Sequence, residues 1–465
     1  MRLLDYGVVI FIMGIMLIIG KIASDRIFNN MDYLLAGRRV KGLPLGLSMS
    51  ATDIGGASIV GAAALAYKHG FSGGWWDFCA IPAWFILAMV LPKYYRKYMV
   101  TTVPEFLEKK YDLKTRILAS TLHLAGTVFT ISAQTMVASL MIQTMTGWSM
   151  ESSVIAATIV FITYTALGGL IAVIWTDIFA YIIMLSGITI ALITLLYKIG
   201  GIGAFVSQVP PDYWRMDTLG WSEPTGWILM SFFWYSTSQY YVQRIFAAKD
   251  EKAAQNSFLF AGYTAIFNGI IIVCLGIGMY IVNPNLGNNE LDIMRSLILY
   301  MPVGVRGLLL AAVLVATMST SSSYLNAGAS LFTIDIYKRV ISPEASDLKC
   351  LNVARLSSVV IGLMSLTAMY LNFGVVDAIV FANMIFSATV FFPIIMGFSG
   401  LEIHPNSAFM AMTLGCLTAI ITRYVPSLIA VSEIIHPILM CSLVSLTTML
   451  LFRMYHSTQA RRKSG

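Results

Sequence analysis

Apolar runs of about twenty residues recur along almost the whole chain, separated by short charged or Gly/Pro-rich breaks. A run of that length crosses the hydrocarbon core of a bilayer as a helix, whereas a core helix in water needs only one apolar stripe. Composition agrees. Of 465 residues, 58% are hydrophobic and 11% charged, against about 25% charged in a soluble domain. Too few charges remain to cover a surface in water, so the chain is read as an all-α polytopic membrane protein. Thirteen spans are expected, near 5–23, 43–66, 75–95, 117–145, 152–172, 176–197, 225–243, 256–282, 307–335, 355–371, 376–398, 406–424 and 431–452.

Loop charges test that count. With the N-terminus outside, 23 of the 30 Lys and Arg fall in inside segments and seven outside, Arg244 being placed among the inside loop charges. A missed span would invert every later loop, so the split favours an N-out, C-in chain in the cell membrane. The same bias accounts for the net charge of +7 without nucleic acid as a partner. The apolar N-terminus, interrupted by Asp5, is read as the first span rather than a cleaved leader. No Walker-type loop is present, and the five cysteines show no metal or disulfide spacing. Catalytic triads and metal-ligand clusters are likewise missing at the membrane interfaces, so no enzyme is expected.

Polar residues concentrate in four places inside the apolar runs. These are "SATDIGG" at 50–56, "TALGGLIAVIWTD" at 165–177, "SFFWYSTSQYYVQR" at 231–244 and "ATMSTSSSYLNAG" at 316–328. Small residues in spans often serve close helix packing, and helical Ser/Thr can bond to the carbonyl four residues back. Asp53 beside Gly55-Gly56 fits that account least. A carboxylate at bilayer depth costs at least about 2.5–3.5 kcal/mol, and each glycine weakens a helix by about 1 kcal/mol. An unwound segment would explain both, because free carbonyls and half-helix ends form cation and solute sites in secondary transporters. The second broken stretch lies five spans further on. Two inverted repeats are therefore expected, 43–197 and 225–398, with 1–23 and 406–452 accessory.

The stretches "ATDIGGAS", "TVPEFLEKKYD", "TALGGLIAVIWTD", "SQYYVQRIFAAKDEKAAQNS" and "ATMSTSSSYLNAGASLFTIDIYKR" resemble the sodium:solute symporter family, in the family's order. The resemblance implies a LeuT-type 5+5 inverted-repeat fold with two discontinuous helices, and Na+ as the coupling ion. It implies sodium ligands at the carbonyls of Ala51, Ile54 and Ala316 and the hydroxyls of Ser319 and Thr320, with Asp53 and Asp177 on the sodium path. It also implies a substrate site around Ser58, Trp234, Ser238, Gln239, Tyr240, Tyr241 and Asn326, with Tyr240 or Tyr241 near an inner gate. The sugar transporters' Glu-Gln pair is missing near Ala57-Ser58, and the proline transporters' Pro is replaced by Gln239. Trp75, Trp76, Trp84, Trp234, Tyr235 and Tyr240 suit a quaternary amine, although Trp75 and Trp76 sit at a span end where interfacial aromatics are common. No Lys or Arg is expected within the membrane to hold a carboxylate.

The function expected is sodium-coupled import of a small organic solute (amino acid, carboxylate or quaternary amine) by alternating access. The alternatives are proton coupling in the same fold and a transporter-like solute sensor. A channel is disfavoured, because no selectivity-filter repeat appears.

Overall fold

The computed structural model describes residues 2–25, 30–368, 373–401, 403–425, 431 and 435–464. Among them, ten helices are long and apolar enough to cross a membrane. The architecture is all-α. The principal helices are α1 (Leu3–Ser24), α2 (Gly42–Asp53), α3 (Gly56–His69), α4 (Ala80–Tyr98), α5 (Val103–Lys110), α6 (Leu113–Thr146), α7 (Met150–Ile199), α8 (Ser222–Thr237) and α9 (Gln239–Ala247). They continue as α10 (Glu251–Val282), α11 (Glu290–Tyr300), α12 (Val305–Ser330), α13 (Asp347–Ala368), α14 (Val375–Ile385), α15 (Ser387–Phe398), α16 (Pro405–Tyr424) and α17 (Pro437–Ser464).

Three expected spans do not stand among the ten as separate helices. The span 43–66 is broken into α2 and α3, and 225–243 into α8 and α9, so neither first half meets the length of a crossing. The span 152–172 belongs to α7, where Met150–Thr163 is only a shorter apolar piece. The break in α7 also falls earlier than expected. It lies at Gly169, whose φ of 53° and ψ of −171° interrupt the helix. A side chain there would strain the backbone and place its Cβ 2.6 Å from the Tyr33 ring.

α12 is the axis of the molecule. It packs along α7, α6, α1 and α13, and its residues from Leu309 to Ser330 are all buried. A helix buried all round can be polar at no cost in lipid exposure, provided its hydroxyls find partners. α10 covers the other flank, against α2, α3 and α4. Where α2 begins and α9 ends, the chain is joined by two main-chain hydrogen bonds, Val40 N to Ala247 O at 3.0 Å and Lys249 N to Val40 O at 2.9 Å.

Candidate ion and solute site

The site begins with the break between α2 and α3. Ile54 (φ −91°, ψ 63°) and Gly55 (φ −67°, ψ 163°) leave helical geometry, so the last carbonyls of α2 lose their partners four residues on. The glycines here do not supply a left-handed turn, since both φ values are ordinary. They supply contact. A Cβ on Gly55 would lie 2.5 Å from Thr320 Oγ1, and one on Gly56 would lie 2.2 Å from Thr317 Cγ2. The unwound backbone therefore lies directly on α12. Thr320 Oγ1 donates to the Thr52 carbonyl at 3.1 Å. Gln134 of α6 steadies the start of α3 by accepting from Ala57 N at 3.1 Å.

Of the hydroxyls on α12, Thr317 and Ser322 bond back to their own helix, to the carbonyls of Leu314 and Ser319. Ser319 and Thr320 instead point out, toward Asp177 and the unwound segment. Ile54 and Thr320 line one cavity, with Ser319 turned from it to Asp177. Among the described residues, no contact joins the Ala51 or Ala316 carbonyl to that space. Oxygen atoms without a nitrogen or sulfur among them suit a hard monovalent cation.

Behind Ser319 lies a sealed ion pair. Asp177 is fully buried, and so is Arg244, whose Nη2 meets Asp177 Oδ2 at 2.9 Å. The guanidinium also donates to Ser48 Oγ (2.9 Å), Thr52 Oγ1 (2.8 Å), Ser323 Oγ (2.8 Å) and the Tyr240 carbonyl (2.6 Å). Asp177 accepts further from Ser319 Oγ at 2.6 Å and from Ser48 Oγ. This corrects the sequence reading. Arg244 is not a loop charge but a cation buried within the protein, enclosed together with Asp177. The cause is the break at Ser238, which starts α9 within the protein and carries Arg244 inward on a short helix.

On the other side of the break, that cavity has a volume of roughly 700 Å³ including its mouth and is lined by residues of α2, α3, α4, α6, α8, α9, α10 and α12. Asp53 faces it. Its carboxylate accepts from Tyr235 Oη (2.7 Å), Tyr241 Oη (2.9 Å) and Trp84 Nε1 (3.4 Å), not from Ser319 or Thr320. Trp84 and Tyr235 are stacked with centroids 4.0 Å apart, which holds those donors in place. Asp77, on the short helix Trp75–Phe78, faces the same space. Trp76 Nε1 donates to Ser58 Oγ at 3.1 Å, and Ser58 in turn donates to Asp77 Oδ1 at 3.3 Å.

Of the expected substrate residues, Ser58, Trp234 and Tyr241 line this cavity. Ser238 and Tyr240 line a narrower space beside it, toward His123 and Phe386. Gln239 and Asn326 are not brought to it. Gln239 is fully buried against the Thr101–Val103 turn, donating to Thr101 O (3.0 Å) and accepting from Val103 N (2.9 Å). Asn326 Oδ1 accepts from Gln243 Nε2 at 3.2 Å. The two span-end tryptophans divide. Trp75 is bonded to the Met216 carbonyl in an extramembrane loop, while Trp76 turns inward. Asp77, Gln134 and Arg244 were missed as site residues. The signal for Asp77 was an acid within one turn of an apolar run, which resembles an ordinary helix end.

Comparison with known proteins adds the lineage. The sequence pattern of the "Sodium:solute symporter family" matches residues 33–415. The sodium/glucose cotransporter of Vibrio parahaemolyticus is 26% identical over 368 residues, 71% of this chain and 67% of the relative. The sodium/sialic acid symporter of Proteus mirabilis is 26% identical over 390 residues, 78% and 77% of the two chains. The human sodium/iodide cotransporter is 27% identical over 398 residues, 77% and 61%. Among these and the myo-inositol cotransporters, the match spans from about half to three quarters of the relative's length. In structure, a Na+-coupled sialic acid symporter solved outward-open superposes with a TM-score of 0.83 at 23% identity, covering 97% of each chain. A nucleobase-cation-symport-1 family transporter gives 0.59 at 14% identity, over 90% and 95%. These likenesses show the fold, a LeuT-type helical bundle.

Proposed function

The chain belongs to the sodium:solute symporter family, and on that premise we propose that it imports a small organic solute across the cell membrane, driven by Na+ and by alternating access. It crosses the membrane thirteen times, with the N-terminus outside and the C-terminus in the cytoplasm. The repeats are 43–197 and 225–398, and 1–23 and 406–452 are accessory. One observation carries the reading. The break between α2 and α3 lies against α12 where Thr320 meets the Thr52 carbonyl, and Ile54 and Thr320 both line the adjoining cavity.

In this reading Na+ is held by the carbonyls of Ala51, Ile54 and Ala316 and by Ser319 and Thr320. Its arrival replaces the Thr320–Thr52 hydrogen bond and the hydroxyl turns to present its lone pair. Asp177 lies behind Ser319 on the way the ion leaves. Asp53 acts on the solute side, through the donors that fix its carboxylate, and Ser58, Trp234 and Tyr241 line the solute cavity with it. Ser238, Tyr240, Gln239 and Asn326 support the second break from behind.

Sodium titration of uptake in proteoliposomes tests this. Thr320→Ala and Ser319→Ala each raise the half-saturating sodium concentration about tenfold or more, equivalent to ~1.4 kcal/mol, whereas Thr320→Ser changes it little. Normal sodium dependence in both alanine variants, or uptake driven by a pH gradient without sodium, would sink the reading. Orientation is checked separately by cysteine labelling. Positions 250 and 344 react from the cytoplasmic side and 212 and 289 from outside.

A further inference from the structure

The cavity carries two carboxylates, Asp53 and Asp77, and none of its lining residues is a lysine, arginine or histidine. The two acids are not equivalent. Asp53 receives three donors from fixed aromatic side chains. Asp77 receives one long bond, from Ser58, and its Oδ2, almost without accessible surface, has no hydrogen-bond partner. Ser58 cannot turn to serve it, because its own oxygen is held by Trp76 Nε1. A buried acceptor left without a donor costs about 1–3 kcal/mol, more when charged. The cavity therefore lacks positive charge and lacks a donor at one defined atom.

We propose that the transported solute is a protonated primary or secondary amine whose N–H groups bond to Asp77 Oδ2, with its charge balanced by Asp53 and its body against Trp76, Trp234, Tyr235 and Tyr241. The rings suit any organic cation, since a cation near an aromatic face gains about 0.5–2 kcal/mol. The bare Oδ2 separates the classes. A quaternary ammonium has no N–H and leaves that oxygen unpartnered, and neither a carboxylate nor a neutral polyol brings positive charge to the two acids. Asp77 lies at the cavity wall formed by the short helix Trp75–Phe78, whereas the proposed sodium ligands lie on α2 and α12, so solute and ion draw on different acids. The inference rests on the sodium-symport reading for coupling only. Solute recognition stands or falls separately.

The test uses the full-length protein in lipid nanodiscs, read by intrinsic tryptophan fluorescence. Propylammonium and dipropylammonium are titrated against propyltrimethylammonium, propionate and myo-inositol, each with saturating Na+. The two N–H-bearing amines are expected to bind at least tenfold more tightly than the quaternary ion, with no response to propionate or myo-inositol. Asp77→Asn lowers amine affinity tenfold or more and leaves the sodium-induced fluorescence change, recorded without solute, unaltered. Asp77→Glu recovers much of the binding. Equal binding of the quaternary ion, preference for the anion or the polyol, no amine response in protein that still responds to sodium, or unchanged amine affinity in a folded Asp77→Asn would each overturn the proposal. An Asp77→Asn variant whose sodium response shifts as in Thr320→Ala would overturn it too, by moving Asp77 to the ion. Amine binding with no sodium response in the unaltered protein would leave the solute class standing and sink sodium coupling.

Discussion

The two broken helices use the same interruption for different ends. Between α2 and α3 the break is made with glycines and lies flat on α12, leaving backbone oxygens facing a groove. Between α8 and α9 it is made at Ser238 without a glycine, and neighbouring side chains take up part of its polar backbone, Tyr95 donating to the Ser236 carbonyl at 2.7 Å. The Ser238 carbonyl accepts from Tyr241 N and Val242 N, both at 3.1 Å, and Gln239 N donates to His123 Nε2 at 3.3 Å. Rings then close over it, with Tyr240 and Tyr324 4.1 Å apart between centroids and their hydroxyls bonded at 2.7 Å. The second break is covered by aromatic rings, and the first lies in contact with a polar helix. What separates them is the residue that lets a neighbouring helix approach.

The largest expected effect comes from the charged side chain that, with Tyr235 and Tyr241, joins the two breaks. Arg244 sits on α9 but bonds to Ser48 and Thr52 of α2. Arg244→Met leaves Asp177 buried and unpaired, and is expected to destabilise the protein by about 3–5 kcal/mol. Thermal unfolding in detergent measures this. Adding Asp177→Asn to the same chain should recover a substantial part of the loss, because the unpaired charge is removed. A single variant within about 1 kcal/mol of the unaltered protein would mean that the breaks are held independently.

Next come the breaks themselves. Gly56→Ala drives a Cβ into Thr317 Cγ2 and to 3.0 Å from the Val313 carbonyl. Overpacking of this kind costs about 1–3 kcal/mol, and the backbone shift also weakens sodium affinity. Ser238→Ala keeps the main-chain bonds of the second break and changes stability by less than about 1 kcal/mol. Equal losses at the two positions would erase the distinction drawn above.

A smaller effect belongs to the charges around Glu108, outside both breaks. Glu108 accepts from Arg339 and Arg116, each at 2.6 Å, and these bonds hold its carboxyl below the usual carboxylate range, the Arg339 bond contributing most. A depressed pKa stabilises the fold above the unfolded value of about 4.3, and that contribution disappears as pH falls through the folded value. Between pH 7 and 5 the contribution of Glu108 is therefore constant. Glu108→Gln costs less than about 1 kcal/mol through its half-exposed partner Arg339, and unfolding midpoints measured below pH 4.3 should vary less steeply in the variant than in the unaltered protein.

Much of this was legible in the sequence because a bilayer leaves few options. Long apolar runs, their loop charges and the cluster "SATDIGG" marked the helices and the first break. Ser319 and Thr320 are singled out by the family resemblance within a polar helical run, and the structure shows the division that sequence leaves open, with Thr317 and Ser322 bonded to their own helix. What stayed hidden depended on depth. Whether "QR" at 243–244 is in a loop or in the core turns on where a helix stops and restarts, and no residue near Ser238 announces it. Asp77 was hidden likewise, since its meaning comes from the facing walls of α3 and α8, contributed from distant parts of the chain. Gln239 and Asn326, polar residues in a polar stretch, were drawn toward the site by proximity in sequence, but each points to a neighbouring turn or helix instead.

The two main-chain bonds of Val40, to Ala247 and Lys249, fasten the entry of one broken helix to the exit of the other. They act as a yoke. Because no side chain takes part, substitution at either end by any residue but proline leaves the joint in place, and a joint that holds would make the ion-facing and ring-lined halves pivot rather than slide. Spin labels at positions 41 and 250 should keep one separation with and without sodium, and a distance that changes on adding sodium would show that the yoke opens. A lever with a fixed fulcrum transmits small displacements at one end as tilts at the other, so movement of one or two ångströms around the ion is passed directly to the rings above the solute.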